Sequence, residues 1–465
     1  MNDIAETLGI KVKIFSPPTD EEIMDSYMGD MWVDQSKGII NENTFAKAFR
    51  DVNHLRYNNG LFYTRSGKIT EEVISRDIWK SIEQVGINRD VERTVKKLVG
   101  TTKLASTVDS LQVNTNIIPF ANGDFYVHEW EFHGDEYSPV PYRLNASLKL
   151  YFEDITNFSN WLHNLFYEED IETVQEYLGY CLVSSTRGQK ALFLVGEGGT
   201  GKSGIGVILQ EILGEAILNT ANTQEFMQDK FKLPELEHKL VLYDDDLDSA
   251  ALTETGLYKK LITNTLAITA DRKYGQPFKF TPSIKLVACC NKMLTATYDN
   301  TSGFYRRLLP IVVKPMRKDF VPDLQFYEKL RKERDGIVQW ALIGLNRLIS
   351  HNWILHESQR TKDYMEQKQT IDNPLPIFMT SVFEYDPAYT GVPITEIMKV
   401  YEYWCRKNSV TPMKSRAVQI WLSDNAEKYG IKTTTNLQAE NKRVRGYKGL
   451  RITAEWDIKN RIILS

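Results

Sequence analysis

A chain of 465 residues with 42% apolar content is too long for one ordinary core and has material for about three domains. Charged residues make up 25% and the net charge is −4, so bulk charge selects no partner. Cys181, Cys289, Cys290 and Cys405 show neither C-x-x-C spacing nor neighbouring histidines, which excludes a zinc site and fits a reduced compartment. No basic stretch precedes an apolar run at the N-terminus, and no run of about 18 apolar residues occurs; a soluble, cytoplasmic protein with no membrane partner is expected.

Residues 1–105 mix hairpin and helix signals. Tyr57-Asn58-Asn59-Gly60, between apolar segments, reads as a turn joining two strands, and residues 70–100 look helical. No chemistry is legible there. The first 60 residues hold 10 acidic against 6 basic residues, which suits a regulator or host replication protein as partner. A second hairpin is expected over 117–128 with Asn122-Gly123 as its turn. Residues 148–183 then alternate aromatic and acidic residues at mostly helical spacing.

Most of the chemistry lies in residues 191–214, ALFLVGEGGTGKSGIGVILQEILG. Gly196, Gly199, Gly201, Lys202 and Ser203 fill the G-x-x-x-x-G-K-[ST] pattern, whose glycine-rich turn offers backbone N–H groups to phosphate oxygens. Lys202 would reach the β/γ-phosphates and Ser203 would hold Mg²⁺. Residues 191–195 form an apolar run suited to a buried strand. Ile205, Ile208, Leu209, Ile212 and Leu213 recur at helical spacing behind the loop, so the free N–H groups of that helix point at the anion.

Further on, Leu240-Val241-Leu242-Tyr243 reads as a strand ending in Asp244-Asp245-Asp246. Acidic residues at the C-terminal end of such a strand lie beside a phosphate loop at the open edge of a parallel sheet. Asp244 and Asp245 are assigned to Mg²⁺ and to the attacking water. A helix over 252–264 leads to ITADRKYGQPFKFT, a hairpin in which Arg272, Lys273 and Tyr274 would meet a single DNA strand through cations and a ring. The strand 284–290 ends at Asn291, whose amide can orient water or sense the γ-phosphate, and the adjacent Cys289 and Cys290 face opposite sides as core residues. Arg306 and Arg307 either bind acidic groups of their own chain or project into a neighbour's nucleotide site.

Residues 320–350 read as helical, and residues 369–376 as the start of a linker. From 375 the chain is a small α+β unit: helices over 394–406 and 414–429, then strands 431–435 and 447–453 flanking a basic turn at 441–445. Residues 401–451 hold 11 basic against 4 acidic residues. Lys414, Arg416, Lys442, Arg443 and Arg445 are the candidate phosphate contacts; the alternative is a basic surface on a domain that only packs against its neighbour.

Phosphate loop, aspartate strand, basic hairpin, strand ending in asparagine, then arginine: this order resembles the superfamily 3 helicases, AAA+ motors of viruses, phages and plasmids. The branch of phage and plasmid primase-helicases is similar also at Ile118-Pro119-Phe120-Ala121-Asn122-Gly123, at Gln175-Glu176-Tyr177-Leu178-Gly179-Tyr180, over 299–309 and at Val338-Gln339-Trp340-Ala341-Leu342-Ile343-Gly344-Leu345. Within it, residues 114–450 look like the self-loading replication-initiator helicases of staphylococcal pathogenicity islands and cassette chromosomes. The resemblance implies that Gly196, Glu197, Gly198, Gly199, Thr200, Gly201, Lys202 and Ser203 are Walker A and bind ATP. It makes Asp244-Asp245 Walker B, Asn291 sensor 1, Lys273 with Arg272 and Tyr274 the DNA-tracking hairpin, and Arg306 or Arg307 the trans arginine finger. Family members often carry a glutamate at the Walker B strand end where this chain has aspartates, which leaves the water-activating carboxylate open.

The expected fold is α/β: a P-loop AAA+ (superfamily 3) core at 186–365, an α+β N-terminal region at 1–110, a hairpin and helical collar at 111–185, and a winged-helix domain at 375–465. The expected function is an ATP- and Mg²⁺-dependent replicative helicase and initiator of a mobile genetic element, a homo-hexameric ring moving 3′ to 5′ on single-stranded DNA and binding origin DNA. Residues 1–110 offer no convincing primase set, so no primer synthesis is expected. The alternatives are a remodelling ATPase that does not unwind DNA, and an origin-binding initiator whose ATPase regulates assembly.

Overall fold

The computed structural model describes residues 4–14, 32–34, 39–58, 60–64, 67–86, 89–108, 111, 115–134, 138, 140–220, 223, 226, 229, 231–247, 255–263, 266–271, 276–293, 302–316, 323–408, 410–439 and 442–457. Its internal contacts divide the chain into Met1–Lys362 and Asp363–Ser465.

In the first unit, helices Glu42–Val52, Glu71–Gln84 and Val91–Ser106 gather Phe45, Phe49, Ile74, Ile78, Ile82 and Leu98 into a core of their own. Ile74, Ile78 and Ile82 recur every fourth residue and therefore form one stripe. The helical stretch expected over 70–100 is two helices, interrupted where Gly86 takes a φ of +76°. Strands Arg56–Asn58 and Leu61–Thr64 pair antiparallel around the expected first turn. In the second hairpin Phe120 lies opposite Gly123, so the turn residues are Ala121-Asn122, not Asn122-Gly123. Gly123 serves the neighbouring strand instead: at φ +148°, a Cβ there would stand 2.3 Å from the His133 carbonyl oxygen.

The central layer starts with α1 (Thr156–Leu165), α2 (Glu168–Leu182), β1 (Ala191–Val195) and α3 (Gly204–Leu213), followed by β2 (Ile217–Thr220), β3 (Val241–Asp244), α4 (Gly256–Thr263), β4 (Lys285–Cys290) and β5 (Leu308–Val312). The strands form one sheet in the order β2-β3-β4-β1-β5, parallel at every junction. A parallel sheet covered on both faces reads as continuous apolar runs, which is why 191–195 was visible without alternation. β4 lies between the loop-bearing β1 and the aspartate-bearing β3.

Helices α5 (Phe326–Lys332) and α6 (Arg334–Ser350) complete the support. α2 and α6 cross at Gly179 and Gly344, where a Cβ would come within 2.4 Å of the Ala341 carbonyl oxygen and 2.3 Å of the Gln175 carbonyl oxygen; backbone contact this close admits no side chain. Glu333, at the junction of α5 and α6, accepts the backbone N–H groups of Asn157 at 3.0 Å and Phe158 at 2.8 Å. A carboxylate there satisfies free donors at the start of α1 and matches its dipole, fixing the helix that borders the site.

Helix α7 (Gln359–Asp372) runs through the first half of the expected linker at 369–376, and only Asn373 and Pro374 separate it from α8 (Leu375–Val382). The boundary between the two units falls inside α7. In the second unit, α8, α9 (Ile394–Lys407) and α10 (Ser415–Asp424) enclose Phe378, Tyr401, Trp404, Val418 and Leu422. Strands β6 (Lys432–Ala439) and β7 (Lys442–Lys448) pair with Gln438 opposite Arg443 and Thr433 opposite Tyr447. Lys442, Arg443 and Arg445 therefore lie on a strand, not in the basic turn expected at 441–445: the ladder extends to Ala439 and Lys442.

Candidate active site

β1 delivers the chain into residues 196–203 and α3 follows at once. Gly199 and Gly201 take φ values of +79° and +96°, a backbone region glycine enters without steric cost. Gly204 and Gly206 are required by packing: a Cβ would stand 2.8 Å from Trp161 Nε1 at the first and 2.2 Å from the Tyr243 ring at the second. The Trp161 indole N–H donates to the Gly201 carbonyl at 3.1 Å, tying the loop to α1. Lys202 is buried, and its ammonium donates to the carbonyls of Gly196 at 2.8 Å and Glu197 at 2.6 Å.

A cavity of about 820 Å³ opens beside this loop. Gly198, Gly199, Thr200, Gly201, Lys202, Ser203, Asp245, Asp246 and Asn291 form its sheet side, and Asn160, Asn164 and Tyr327 face them. That volume lies within the range of small-molecule pockets. Because β4 separates β1 from β3, Asn291, just past the end of β4, stands between the loop and the aspartates.

The three aspartates have different surroundings. Asp244 is fully buried and its Oδ2 accepts the Thr223 N–H at 2.8 Å and the Thr223 hydroxyl at 2.6 Å; it does not line the cavity. Asp245 does, and its Oδ1 accepts the Tyr243 phenol at 2.5 Å. Asp246 lines it as well. The pair facing the loop is thus Asp245 and Asp246, not Asp244 and Asp245. Nothing near position 244 announces Thr223, which comes from 21 residues earlier in the chain.

Arg306 and Arg307 lie elsewhere. They precede β5, whose Leu308 pairs with Ala191 at the start of β1, while the phosphate loop follows the other end of that strand. At about 3.3 Å per residue the separation is roughly 16 Å. Arg306 is exposed; the Arg307 guanidinium donates to the Gly303 carbonyl. Cys289 and Cys290 are buried, with burial pushing both thiols up to about 12.

Arg272, Lys273 and Tyr274 fall outside the described residues, although Ile268–Ala270 and Phe278–Phe280 pair antiparallel on either side of them. In the second unit Lys414 occupies the N-cap position of α10, Arg416 sits in its first turn, and both are exposed; Arg443 and Arg445 share one face of β7 by its two-residue period. The sequence reading missed Asn160, Trp161 and Asn164. Their signal was present as an i, i+4 amide pair on α1, but nothing in the sequence told which face of α1 meets the loop.

Residues 194–307 match the model of a family of unknown function, DUF5906. The chain is similar to "Putative helicase L207/L206" of Acanthamoeba polyphaga mimivirus, 23% identical over 364 residues, which is 71% of this chain and 37% of that protein; it therefore spans well under half the length of this relative. Among solved structures, the apo structure of the NrS-1 C-terminal region (305–718) aligns with a TM-score of 0.51 at 13% identity, over 87% of this chain and 99% of that one. The A form apo structure of the same region gives 0.49 at 14% identity, over 85% and 95%. Among the described residues, no helix is long and apolar enough to cross a membrane. A helicase-like sequence thus coincides with an α/β fold built on a five-stranded parallel sheet.

Proposed function

We propose that this chain is an ATP-hydrolysing DNA helicase of the superfamily 3, AAA+ type, acting in replication of a mobile genetic element. The observation that carries the reading is the convergence of Lys202, Ser203, Asp245, Asp246 and Asn291 on one cavity at the C-terminal edge of the parallel sheet. The loop N–H groups and Lys202 take the phosphates. Hydroxyl and carboxylate oxygens of Ser203, Asp245 and Asp246 are the hard donors that suit Mg²⁺, which keeps few protein ligands beside water and phosphate oxygen. Bound there, Mg²⁺ neutralises charge on the β- and γ-phosphates. Asp245 is the carboxylate best placed to orient the attacking water, and Asn291 senses the γ-phosphate.

Among the described residues no arginine lines the cavity, and Arg306 and Arg307 sit at the opposite end of the sheet strands. A ring of subunits, read here as a hexamer moving 3′ to 5′, supplies one in trans, and exposed Arg306 is the finger. The Asp363–Ser465 unit acts as a winged-helix-like module binding origin DNA through Lys414, Arg416, Lys442, Arg443 and Arg445. The similarity to a helicase, the parallel sheet and the cavity all support this reading. Hydrolysis of ATP that requires Mg²⁺, rises with single-stranded DNA and disappears in Lys202→Ala tests it; hydrolysis unaffected by Lys202→Ala refutes it.

A further inference from the structure

A second cavity, of about 660 Å³, lies between the N-terminal region and the central sheet. Residues 184–187 on its wall lead into β1, and residues 281–283 lead into β4, so it opens at the N-terminal edge of the sheet, the edge opposite the phosphate loop. Its chemistry differs from that of the nucleotide cavity. Phe278 and Phe280, on the second strand of the hairpin, stack with ring centroids 5.6 Å apart and planes 22° apart. Trp353 adds a third ring, over which the Arg187 guanidinium sits at 5.8 Å. Lys279 and Arg187 both line the space and are exposed, and among the described residues neither makes a salt bridge.

Flat rings and cations that make no salt bridge among the described residues, around a solvent-open space, are complementary to a ligand with aromatic planes and distributed negative charge. A free anion would leave the rings unused, and an acidic peptide would not need them stacked in parallel. The two properties coexist in single-stranded nucleic acid, where bases stack on rings and cations follow the phosphates. We propose that this cavity is a binding site for one or two nucleotides of a single strand. The site rests on the nucleic-acid part of the reading above and requires no hydrolysis. Strand entering here passes the foot of the hairpin on the sheet edge that also carries Arg306, so binding is coupled to the hairpin through Phe278–Phe280.

The test uses the full chain without nucleotide. An oligothymidylate carrying one 5-iodo-deoxyuridine is photocrosslinked to the wild-type protein and the modified peptides are identified. In parallel, the affinity of a labelled oligothymidylate is measured against salt for wild type and for the double variant Arg187→Gln, Lys279→Gln. Crosslinks to the peptides holding Phe278 and Phe280, or Trp353, are expected, with the salt slope smaller by about 1.4 for two lost cations at about 0.7 each. Crosslinks confined to other segments, or an unchanged slope, overturn the site. The crosslinking arm decides if the variant fails to fold. Binding located elsewhere defeats this site alone, whereas no binding to any single strand defeats the helicase reading with it.

Discussion

The Tyr243 hydroxyl donates to Asp245 Oδ1 at 2.5 Å, and the Tyr243 ring occupies the space that a side chain at position 206 would need. A residue of β3 thus aims the carboxylate that follows it, and a glycine of α3 makes room for the ring. Burial holds the Tyr243 phenol well above its usual range, so it remains a donor at any working pH. Tyr243→Phe should lower kcat by about tenfold to a hundredfold, the range lost when a partner that orients a functional carboxylate is removed, with KM for ATP nearly unchanged. Gly206→Ala should reproduce the kcat loss by pushing the ring aside. Steady-state kinetics of both variants check this, and a rise in KM alone would show that Tyr243 serves binding.

Asn160 and Asn164 line the phosphate-loop cavity from α1 and make no hydrogen bond among the described residues, whereas Asn157 is held by Glu333. Two free amides opposite Tyr327 can read the edge of a nucleobase. Replacing both by leucine should lower the preference for ATP over CTP in kcat/KM by about tenfold or more, because a site built to hydrogen-bond discriminates strongly and an apolar one does not. An unchanged ratio would place the base elsewhere.

Arg306 and Arg307 should separate cleanly. Arg306→Ala should fold normally and lose about 10³-fold in DNA-stimulated hydrolysis, the scale of a trans arginine. Arg307→Ala, by breaking the bond to Gly303, should instead lower Tm. Mixing Arg306→Ala with Lys202→Ala subunits should restore part of the activity, because some interfaces then combine an intact loop with an intact arginine. No recovery would argue against a shared site.

Lys285 is buried in β4, where its ammonium donates to the carbonyls of Val183 and Ser283. Burial lowers its pKa to about 7, against about 10.4 in an unfolded chain. Between those values the unfolded chain holds a proton that the folded chain has released, so stability rises with pH; below about pH 7 both forms are protonated and the slope vanishes. Denaturant unfolding between about pH 7 and pH 9 should show a gain of up to about 1.4 kcal/mol per pH unit that Lys285→Met lacks. Equal pH dependence in the two proteins would contradict the assignment.

What the sequence disclosed depends on how local its causes are. The glycine loop, its strand and its helix follow from residues within 24 positions of one another, so their spacing could be read directly. Strand β4 was legible as an apolar run, and with it the position of Asn291. The orientation of Asp244 was not, because Thr223 turns it away from the cavity through a tertiary contact. Arg306 could be assigned to no site until the register of β5 against β1 placed it at the far edge of the sheet. The basic turn became a strand because the ladder between β6 and β7 runs further than turn chemistry at 441–445 implied.

The central claim is that the cavity around Lys202 drives strand separation. It is tested most directly by ATP-dependent unwinding of forked duplexes bearing either a 3′ or a 5′ tail, comparing the intact chain with Lys202→Ala. Unwinding that requires the 3′ tail and vanishes in the variant is the expected result. ATP hydrolysis without unwinding on either fork would contradict the helicase assignment and leave a remodelling or assembly ATPase.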